Sequence, residues 1–322
     1  MFILYDSMQE KMSQFCNTVM YHYVRHISNS KHPEIKGLEL DGFERQIQYF
    51  KTNYKVIDIF QMFDSLNGNM DLPENSILLT FDDGLKDHFQ NVYPILKKNE
   101  IQGIFFPPSM PIIEKMVLDV HKIHFILASC NSPQKLLERI FQLINKNIEK
   151  YNLKKPNDYF TEIAKANRFD SKEIIFIKRM LQRELPRELR NIFCDILFKE
   201  FVTEQEEKFS DELYLSMNEI FEMKENGMHF GAHGHSHEWF TFMTENELEK
   251  DLKSCSDFYS QINKDKKTWI MSYPYGDFNT KVIEKMKKFE YKAGFSTIVN
   301  KTEISNENCF SFERMDTNDF PQ

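Results

Sequence analysis

Two adjacent carboxylates stand directly after a strand-like run, and this arrangement constrains the fold more than any other feature of the sequence. The run begins with the apolar residues 77–79 and leads through Phe81 to Asp82 and Asp83, and Gly84 follows them. In α/β folds built from parallel strands, ligands and catalytic groups collect where a strand ends and the chain turns. Because the backbone bends there, both carboxylates can reach one site. The alternative is an ordinary Asp-Asp-Gly turn at the surface.

A second segment, residues 231–237, is rich in histidine and favours a functional site. His233, His235 and His237 alternate along it, and four of the ten histidines of the chain fall between positions 229 and 237. Imidazole nitrogens are common zinc ligands, and two of them with one carboxylate leave an open coordination position, as in catalytic sites. The alternative is a polar loop whose histidines satisfy local hydrogen bonds.

Together these segments resemble the polysaccharide deacetylase family, the NodB-like carbohydrate esterases. Residues 80–84 match the family's Thr-Phe-Asp-Asp-Gly motif, residues 233–237 its His-x-x-x-His motif, and residues 274–276 its Pro-Tyr-Gly motif. The chain is most similar to the subgroup that deacetylates poly-N-acetylglucosamine, which looks circularly permuted. The resemblance implies an α/β fold, namely a distorted (β/α)7 barrel of the NodB type.

The resemblance also implies roles for individual residues. Asp82 would be the general base, and the loop of Pro274 and Tyr275 would bind the oxyanion through a backbone N–H. A divalent metal would be bound, with Zn²⁺ as the expected ion and Co²⁺, Ni²⁺ or Mn²⁺ as alternatives. The implied metal ligands are Asp83, His233 and His237.

The general acid departs from the commonest family pattern. Many members use a late histidine, but the last histidine of this chain is His237. In the poly-N-acetylglucosamine subgroup the acid lies on an N-terminal strand, so the resemblance assigns His22, which lies in the strand-like run 18–24. The alternative for His22 is a hydrogen-bonded residue of a partly buried strand. His235 is a second candidate for the acid.

The residue that orients the base departs as well. Many members carry an arginine two residues before the proline of the third motif, where this chain has Ser272. Arg314 is the candidate substitute, because some relatives carry an arginine in a similar C-terminal strand. The alternative for Arg314 is a solvated charge beside Glu313.

The distribution of strand and helix patterns predicts a barrel interrupted by a helical insertion. Strand and helix patterns alternate over residues 1–110 and 213–322, which is typical of parallel β/α units. Residues 111–212 show mainly helical patterns and are expected to cap the site or to form a subunit contact in a homo-oligomer. His121 and His124 lie there at i,i+3 spacing, which favours structural roles over a metal pair.

Composition excludes several classes of partner and location. A formal charge of −8, with Lys and Arg spread along the chain, argues against nucleic-acid binding. No run approaches the ~20 apolar residues of a transmembrane helix. The five cysteines are far apart and form no CxxC pair, which favours reduced thiols inside a cell. The apolar run 2–5 is too short for a signal peptide, so a cytoplasmic location is expected.

The predicted function is therefore metal-dependent hydrolysis of an amide bond. The expected substrate is an N-acetylated amino sugar, either small, nucleotide-linked or lipid-linked, or part of an oligosaccharide. One alternative is an N-deformylase or another amidase at the same site, because acyl size depends on the shape of the pocket. Another is a degenerate member that binds sugar without turnover. The loss of arginine at Ser272 favours the degenerate member, and the presence of both Asp82 and Asp83 argues against it.

Overall fold

The computed structural model describes residues 14–130, 132–166 and 170–322. The apolar run 2–5 lies outside the described residues, so the expected cytoplasmic location stays a prediction. The strands in the described part of the chain are β1 (Phe15–Tyr21), β2 (Val24–Arg25), β3 (Leu38–Glu39), β4 (Lys55–Val56), β5 (Ser76–Asp82), β6 (Ile104–Phe106), β7 (His229–Phe230), β8 (Ile270–Ser272), β9 (Ala293–Phe295), β10 (Thr302–Glu303) and β11 (Met315–Asp316).

Seven parallel segments form a closed ring. β1, β5, β6 and β7 pair in parallel in that order, and β8 pairs in parallel with β9. Parallel bridges from Ala232 to Met271 and from Phe295 to Phe312 join these groups to each other and to the segment 312–316. β11, in that segment, pairs in parallel with β1 and closes the ring. The α/β fold with a (β/α)7 barrel is thus confirmed.

Two helices of the barrel, α11 (Met217–Glu225) and α12 (Glu245–Ile262), begin at capping signals that the sequence carries. Ser216 and Thr244 form capping boxes, in which the side chain accepts from the third backbone N–H of the helix and the carboxylate of that third residue, a glutamate, accepts from the N-cap backbone N–H. π-helical turns at His88–Val92 and Met180–Glu184 adjoin α3 and α8. The helices are α1 (Leu40–Asn53), α2 (Ile59–Leu66), α3 (Tyr93–Lys98), α4 (Ser109–Glu114), α5 (Asp119–Ser129), α6 (Pro133–Tyr151), α7 (Pro156–Ile163), α8 (Lys172–Arg179), α9 (Arg187–Phe201), α10 (Glu206–Leu213), α11 (Met217–Glu225), α12 (Glu245–Ile262) and α13 (Thr280–Lys288).

Alternation along the strands separates two faces of the barrel wall. Phe81 stacks between Tyr21 and Phe105, at ring-centroid distances of 4.9 and 4.8 Å, in the cluster that also contains the apolar side chains of α1. Leu78, three residues earlier, belongs to a second cluster, which contains residues of other strands, such as Ile104 and Ile270, together with side chains of α2. Because side chains alternate along a strand, Asp82 follows the face of Leu78 rather than that of Phe81.

Helices α4 to α10 lie between β6 and β7, in the part of the sequence assigned to the insertion. They share a hydrophobic cluster of their own, which also takes in Tyr23 and Leu85 from the barrel. Their status as a unit separate from the barrel, with boundaries at 111 and 212, stays a prediction. Within the described ranges, no helix combines the length and the apolar character that a bilayer span requires.

Candidate active site

The end of β5 presents the two carboxylates in different directions. Asp82 is the last residue of the strand, and Asp83 follows with φ of 74°, in the left-handed region. Gly84 has φ of 60°, and a Cβ there would lie 2.6 Å from the Cβ of Pro107. Only glycine fits this turn, which lets the chain reverse while both carboxylates remain buried.

Asp83, His233 and His237 converge on one point. Asp83 Oδ1 lies 3.4 Å from His233 Nε2 and 3.3 Å from His237 Nε2, and the three ligand atoms lie within 4.8 Å of one another. In a tetrahedral zinc site with bonds of about 2.0–2.1 Å, two ligand atoms are about 3.3–3.4 Å apart. Asp83 Oδ1 is buried and has no hydrogen-bond partner among the described residues. The three side chains therefore fit a divalent cation.

The barrel and α12 hold the two imidazoles in place. His233 Nδ1 lies 2.7 Å from the carbonyl oxygen of Ser272, so this nitrogen donates and leaves Nε2 free to bind a metal. Asp251 of α12 accepts hydrogen bonds from the backbone N–H groups of His235 and Ser236, at 2.8 and 2.9 Å. His237 has φ of 55°. Anchoring of the loop between the imidazoles keeps this strained residue in position.

Charges around the site keep Asp83 ionised. Burial would raise the pKa of its carboxyl group, but His121, His233 and His237 lower it well below its usual range. Burial lowers the pKa of His237, whereas the two carboxylates raise that of His233 against the effect of burial. An ionised oxygen beside two imidazoles is the donor set that a divalent cation requires.

Asp82 is held by Arg314 in a buried bidentate ion pair. Arg314 Nη1 and Nη2 donate to Asp82 Oδ1 and Oδ2 at 2.8 and 2.7 Å. The Ser272 hydroxyl donates to Asp82 Oδ2 at 3.0 Å and accepts from Arg314 Nη2 at 2.9 Å. Arg314 is fully buried, so the alternative of a solvated charge beside Glu313 is wrong. The arginine that binds Asp82 thus lies in the segment 312–316, whereas many family members carry it at the position of Ser272.

The guanidinium fixes the charge of Asp82. Burial would raise the pKa of this carboxyl group, but Arg314 and, more weakly, His233 and His22 lower it to about 2. Asp82 is therefore an oriented carboxylate at neutral pH. Its assignment as general base, like the roles of the other site residues, stays a prediction.

The Pro274–Tyr275 turn lies against the metal-binding histidines. Tyr275 has φ of 58°, and its ring lies 4.8 Å from that of His237 and stacks on Trp239 at 4.4 Å. Its backbone N–H donates to no acceptor in the described part of the chain. This N–H is therefore free to bind an oxygen of a ligand.

The two candidates for the general acid differ in their surroundings. His22 is half-buried just after β1, rather than inside the strand, and lines the same cavity as Asp82, Asp83 and His233. His235 has its Nδ1 2.9 Å from the Ser109 hydroxyl and its Nε2 3.1 Å from Glu114, and it is not among the residues that line this cavity. The geometry therefore favours His22 over His235.

The site contains residues that the sequence did not indicate. His121 lies with its Nε2 3.0 Å from Asp83 Oδ2, so its contact with the site exceeds the structural role expected for it. A cavity of about 250 Å³ at the carboxylates is lined by Val120 and His124 of α5. Gln182, in the π-helical turn that follows α8, also lines it. His124 is half-buried, and desolvation lowers its pKa to about 3. The only sequence signal for these contacts was the presence of the two histidines in α5.

Comparisons with known proteins agree with this geometry. The family model described as polysaccharide deacetylase matches residues 69–142 and 198–294, more than half of the chain. No curated protein matches the sequence.

Three solved structures share the fold. The deacetylase PplD of Streptococcus pyogenes, solved with acetate, has a TM-score of 0.59 at 15% identity, over 94% of this chain and 92% of its own. IcaB of Ammonifex degensii has a TM-score of 0.55 at 14% identity, over 94% and 92%. BC0361 of Bacillus cereus, a polysaccharide deacetylase, has a TM-score of 0.54 at 15% identity, over 95% and 65%.

Proposed function

Because the chain belongs to the polysaccharide deacetylase family, we propose that it is a metal-dependent hydrolase that removes an N-acetyl group from an amino sugar. The observation that carries this proposal is the approach of Asp83 Oδ1 to His233 Nε2 and His237 Nε2, at 3.4 and 3.3 Å, next to an ionised and oriented Asp82. PplD is described as a deacetylase in complex with acetate, and acetate is the acid that the proposal expects as product.

Asp83, His233 and His237 would hold the cation. A divalent ion, when bound, lowers the pKa of its water from about 15.7 toward about 7 and polarises the carbonyl group under attack. Zinc suits this donor set, and Co²⁺, Ni²⁺ or Mn²⁺ are alternatives. Asp83 and His237 both have backbone in the left-handed region. Such strain is typical of sites in which the surrounding structure positions the ligands before the metal binds.

Asp82 would accept the proton of the attacking water. Arg314 orients both carboxylate oxygens and keeps them ionised, so the group is ready to accept at neutral pH. A pKa of about 2 makes Asp82 a weak base. The attacking water must therefore have its own pKa lowered, which the bound cation would do. Asp82 would return to the ionised state by releasing this proton to solvent.

Tyr275 would stabilise the negative charge that develops on the acetyl oxygen, and His22 would protonate the leaving amine. The Tyr275 N–H can donate to the acetyl oxygen as negative charge develops on it. His22 lines the same cavity as these groups and can donate a proton to the leaving amine nitrogen. Without that proton the amine would leave as an unstable anion.

The proposal is tested by incubating the metal-loaded protein with acetylated oligosaccharides and acetylated nucleotide sugars. We expect release of acetate, its loss after chelation and its recovery after addition of metal. Asp82→Asn should retain stoichiometric metal and lose about 10²–10⁴-fold in rate, whereas His233→Ala and His237→Ala should lose the metal. Asp257→Asn, an exposed residue of α12, is the matched control.

Other outcomes of the same assay separate the alternatives. Release of formate from formylated substrates, without acetate, would favour the amidase alternative. Binding of sugar without release of either acid by the loaded protein would favour the degenerate binding protein. Full activity of Asp82→Asn would exclude Asp82 as the base.

A further inference from the structure

A hydrogen-bond chain connects the insertion to the metal-binding carboxylate. His121 of α5 is fully buried, and its Nε2 lies 3.0 Å from Asp83 Oδ2. Its other nitrogen, Nδ1, lies 2.6 Å from the hydroxyl oxygen of Tyr214, and that oxygen accepts the backbone N–H of Leu118 at 3.0 Å. The chain thus runs from the start of α5 and the end of α10 to the site.

The proton positions along this chain follow from the partners. Asp83 is ionised and can only accept, so His121 Nε2 must carry the proton and donate to Oδ2. Tyr214 already accepts from Leu118 and retains its own proton, because burial raises the pKa of the phenol well above its usual value. With the ring proton on Nε2, Nδ1 is the acceptor, and the Tyr214 hydroxyl donates to it. Every member of the chain is satisfied by this arrangement.

The two oxygens of Asp83 therefore have different partners. Oδ2 is occupied by His121, whereas Oδ1 faces His233 and His237 and has no hydrogen-bond partner among the described residues. A carboxylate whose second oxygen is held in this way cannot rotate to present both oxygens to one ion. Hydrogen-bond partners behind a ligand typically account for a factor of about 10–100 in metal affinity.

We propose that His121 is a positioning residue that makes Asp83 a one-oxygen ligand. This inference rests on the proposed metal site and adds a residue of the helical insertion to it. It implies that the insertion helps to build the metal site, in addition to covering it. The coordination position that a second Asp83 oxygen would occupy stays open for water or substrate.

The test is metal affinity, measured by competition with a coloured zinc chelator, in His121→Ala and His121→Gln. We expect His121→Ala to weaken zinc binding about 10–100-fold. His121→Gln should recover most of the affinity, because its amide nitrogen can reach the place of Nε2 and donate to Oδ2. Tyr214→Phe, which keeps the bond to Asp83 but frees Nδ1, should give a smaller loss.

A spectroscopic readout separates positioning from general loss of structure. In the Co²⁺-loaded protein, His121→Ala should weaken the visible absorption bands, as happens when a four-coordinate ion gains a fifth ligand. His229→Gln is the matched control, because His229 is equally buried and bonds to the Thr268 carbonyl rather than to a site residue. Its metal affinity and cobalt spectrum should be unchanged.

Two results would overturn the inference, and they differ from each other. Unchanged zinc affinity and an unchanged cobalt spectrum in a folded His121→Ala protein would exclude the positioning role while leaving the proposed function intact. Absence of stoichiometric metal in the unmodified protein would remove the proposed metal site and, with it, the role of His121.

Discussion

Arg314 holds both oxygens of Asp82, and both side chains are almost completely shielded from water. Arg314 Nε also donates to the Ser296 carbonyl oxygen at 2.8 Å, and Nη1 to the Thr80 hydroxyl at 3.2 Å. Removing one partner of a buried pair costs about 3–5 kcal/mol, because the other charge remains unpaired. The pair therefore links the orientation of the candidate base to the stability of the barrel.

We expect Arg314→Met to raise the lower pH limit of activity. Asp82, with a pKa of about 2, is ionised throughout the working range. Without the guanidinium, burial dominates and raises this pKa, so activity should fall as the pH drops through the raised value. Profiles of kcat/KM against pH measure the shift. Ser272→Ala, which removes one hydrogen bond to Asp82, should give a smaller shift if Arg314→Met does not fold.

The control for this prediction is Arg45→Met. Arg45 forms an ion pair with Asp41 in which both side chains are more than half exposed, and such pairs contribute about 0–1 kcal/mol. Its pH profile should match that of the unmodified protein. An unchanged acid limit in a folded Arg314→Met protein would contradict the control of Asp82 by Arg314.

His22→Ala should slow reactions with poor leaving groups most. Hydrolysis of an N-acetyl amide requires a proton on the leaving nitrogen, and loss of a general acid typically costs about 10²–10⁴-fold. An activated aryl acetate needs no such proton, so its hydrolysis should fall much less. Rates on both substrates measure the difference, with exposed His26→Ala as the control. Equal losses on both substrates would argue against the acid role.

At the scale of elements, α12 controls the loop that carries the two metal-binding histidines. Asp251 accepts from His235 N, Ser236 N and the Ser236 hydroxyl, so one buried carboxylate fixes the loop between His233 and His237. The Ser109 and Met110 backbone N–H groups donate to the Gly234 and His235 carbonyl oxygens from the other side. The separation of the imidazoles thus depends on both neighbouring elements.

Asp251→Ala is expected to reduce both stability and metal affinity. Each buried donor left without a partner costs about 1–3 kcal/mol, and the loosened loop would no longer present both imidazoles together. Thermal unfolding and zinc competition measure the two effects. Asp257→Ala removes a carboxylate on the same helix that is 65% exposed, and it should change neither. Normal zinc affinity in Asp251→Ala would show that the loop is held without α12.

The sequence predicted elements well where the signal is local. The capping boxes at Ser216 and Thr244 and the apolar run 77–79 depend on residues close in sequence, and α11, α12 and β5 begin next to these signals. The strand expected around His22 ends at Tyr21 instead, since its length is set by pairing with β5, whose last partner is Phe81. Pairing partners of this kind leave no local pattern.

At the scale of the molecule, the site combines motifs that sequence can locate with contacts that it cannot. Asp82, Asp83, His233 and His237 stand in short motifs at strand ends, so they could be selected from their spacing. Contact between Arg314 and Asp82 joins residues 232 positions apart, and contact between His121 and Asp83 joins residues 38 positions apart across two elements. For His121, helical spacing pointed toward packing, and the tertiary arrangement of α5 overrode it.

Burial of neutral histidine makes the fold sensitive to acid. His229 has a pKa of about 3, because burial disfavours the charged ring and Lys224 adds repulsion. Below pH 6.5 the unfolded chain therefore binds a proton that the folded protein does not bind. Stability from this group is lost as the pH falls from about 6.5 toward about 3. Between pH 7 and pH 5 the loss is about 2 kcal/mol.

His229→Gln should remove this part of the pH dependence. Glutamine is neutral at both pH values and can still bond to the Thr268 carbonyl, so the difference in unfolding free energy between pH 7 and pH 5 should shrink by about 2 kcal/mol. Urea unfolding at the two pH values measures it. The exposed His26→Gln should leave the difference unchanged. A similar difference in His229→Gln would assign the acid sensitivity to other groups.

The closing segment of the barrel, residues 312–316, also carries Arg314. A premature stop codon just before Phe312 would therefore open the sheet between β9 and β1. It would also leave the buried carboxylate of Asp82 without Arg314. Chains truncated at this point should be degraded by the cell, so expressed forms of the protein need the complete segment 312–316 and a flexible spacer ahead of any C-terminal tag.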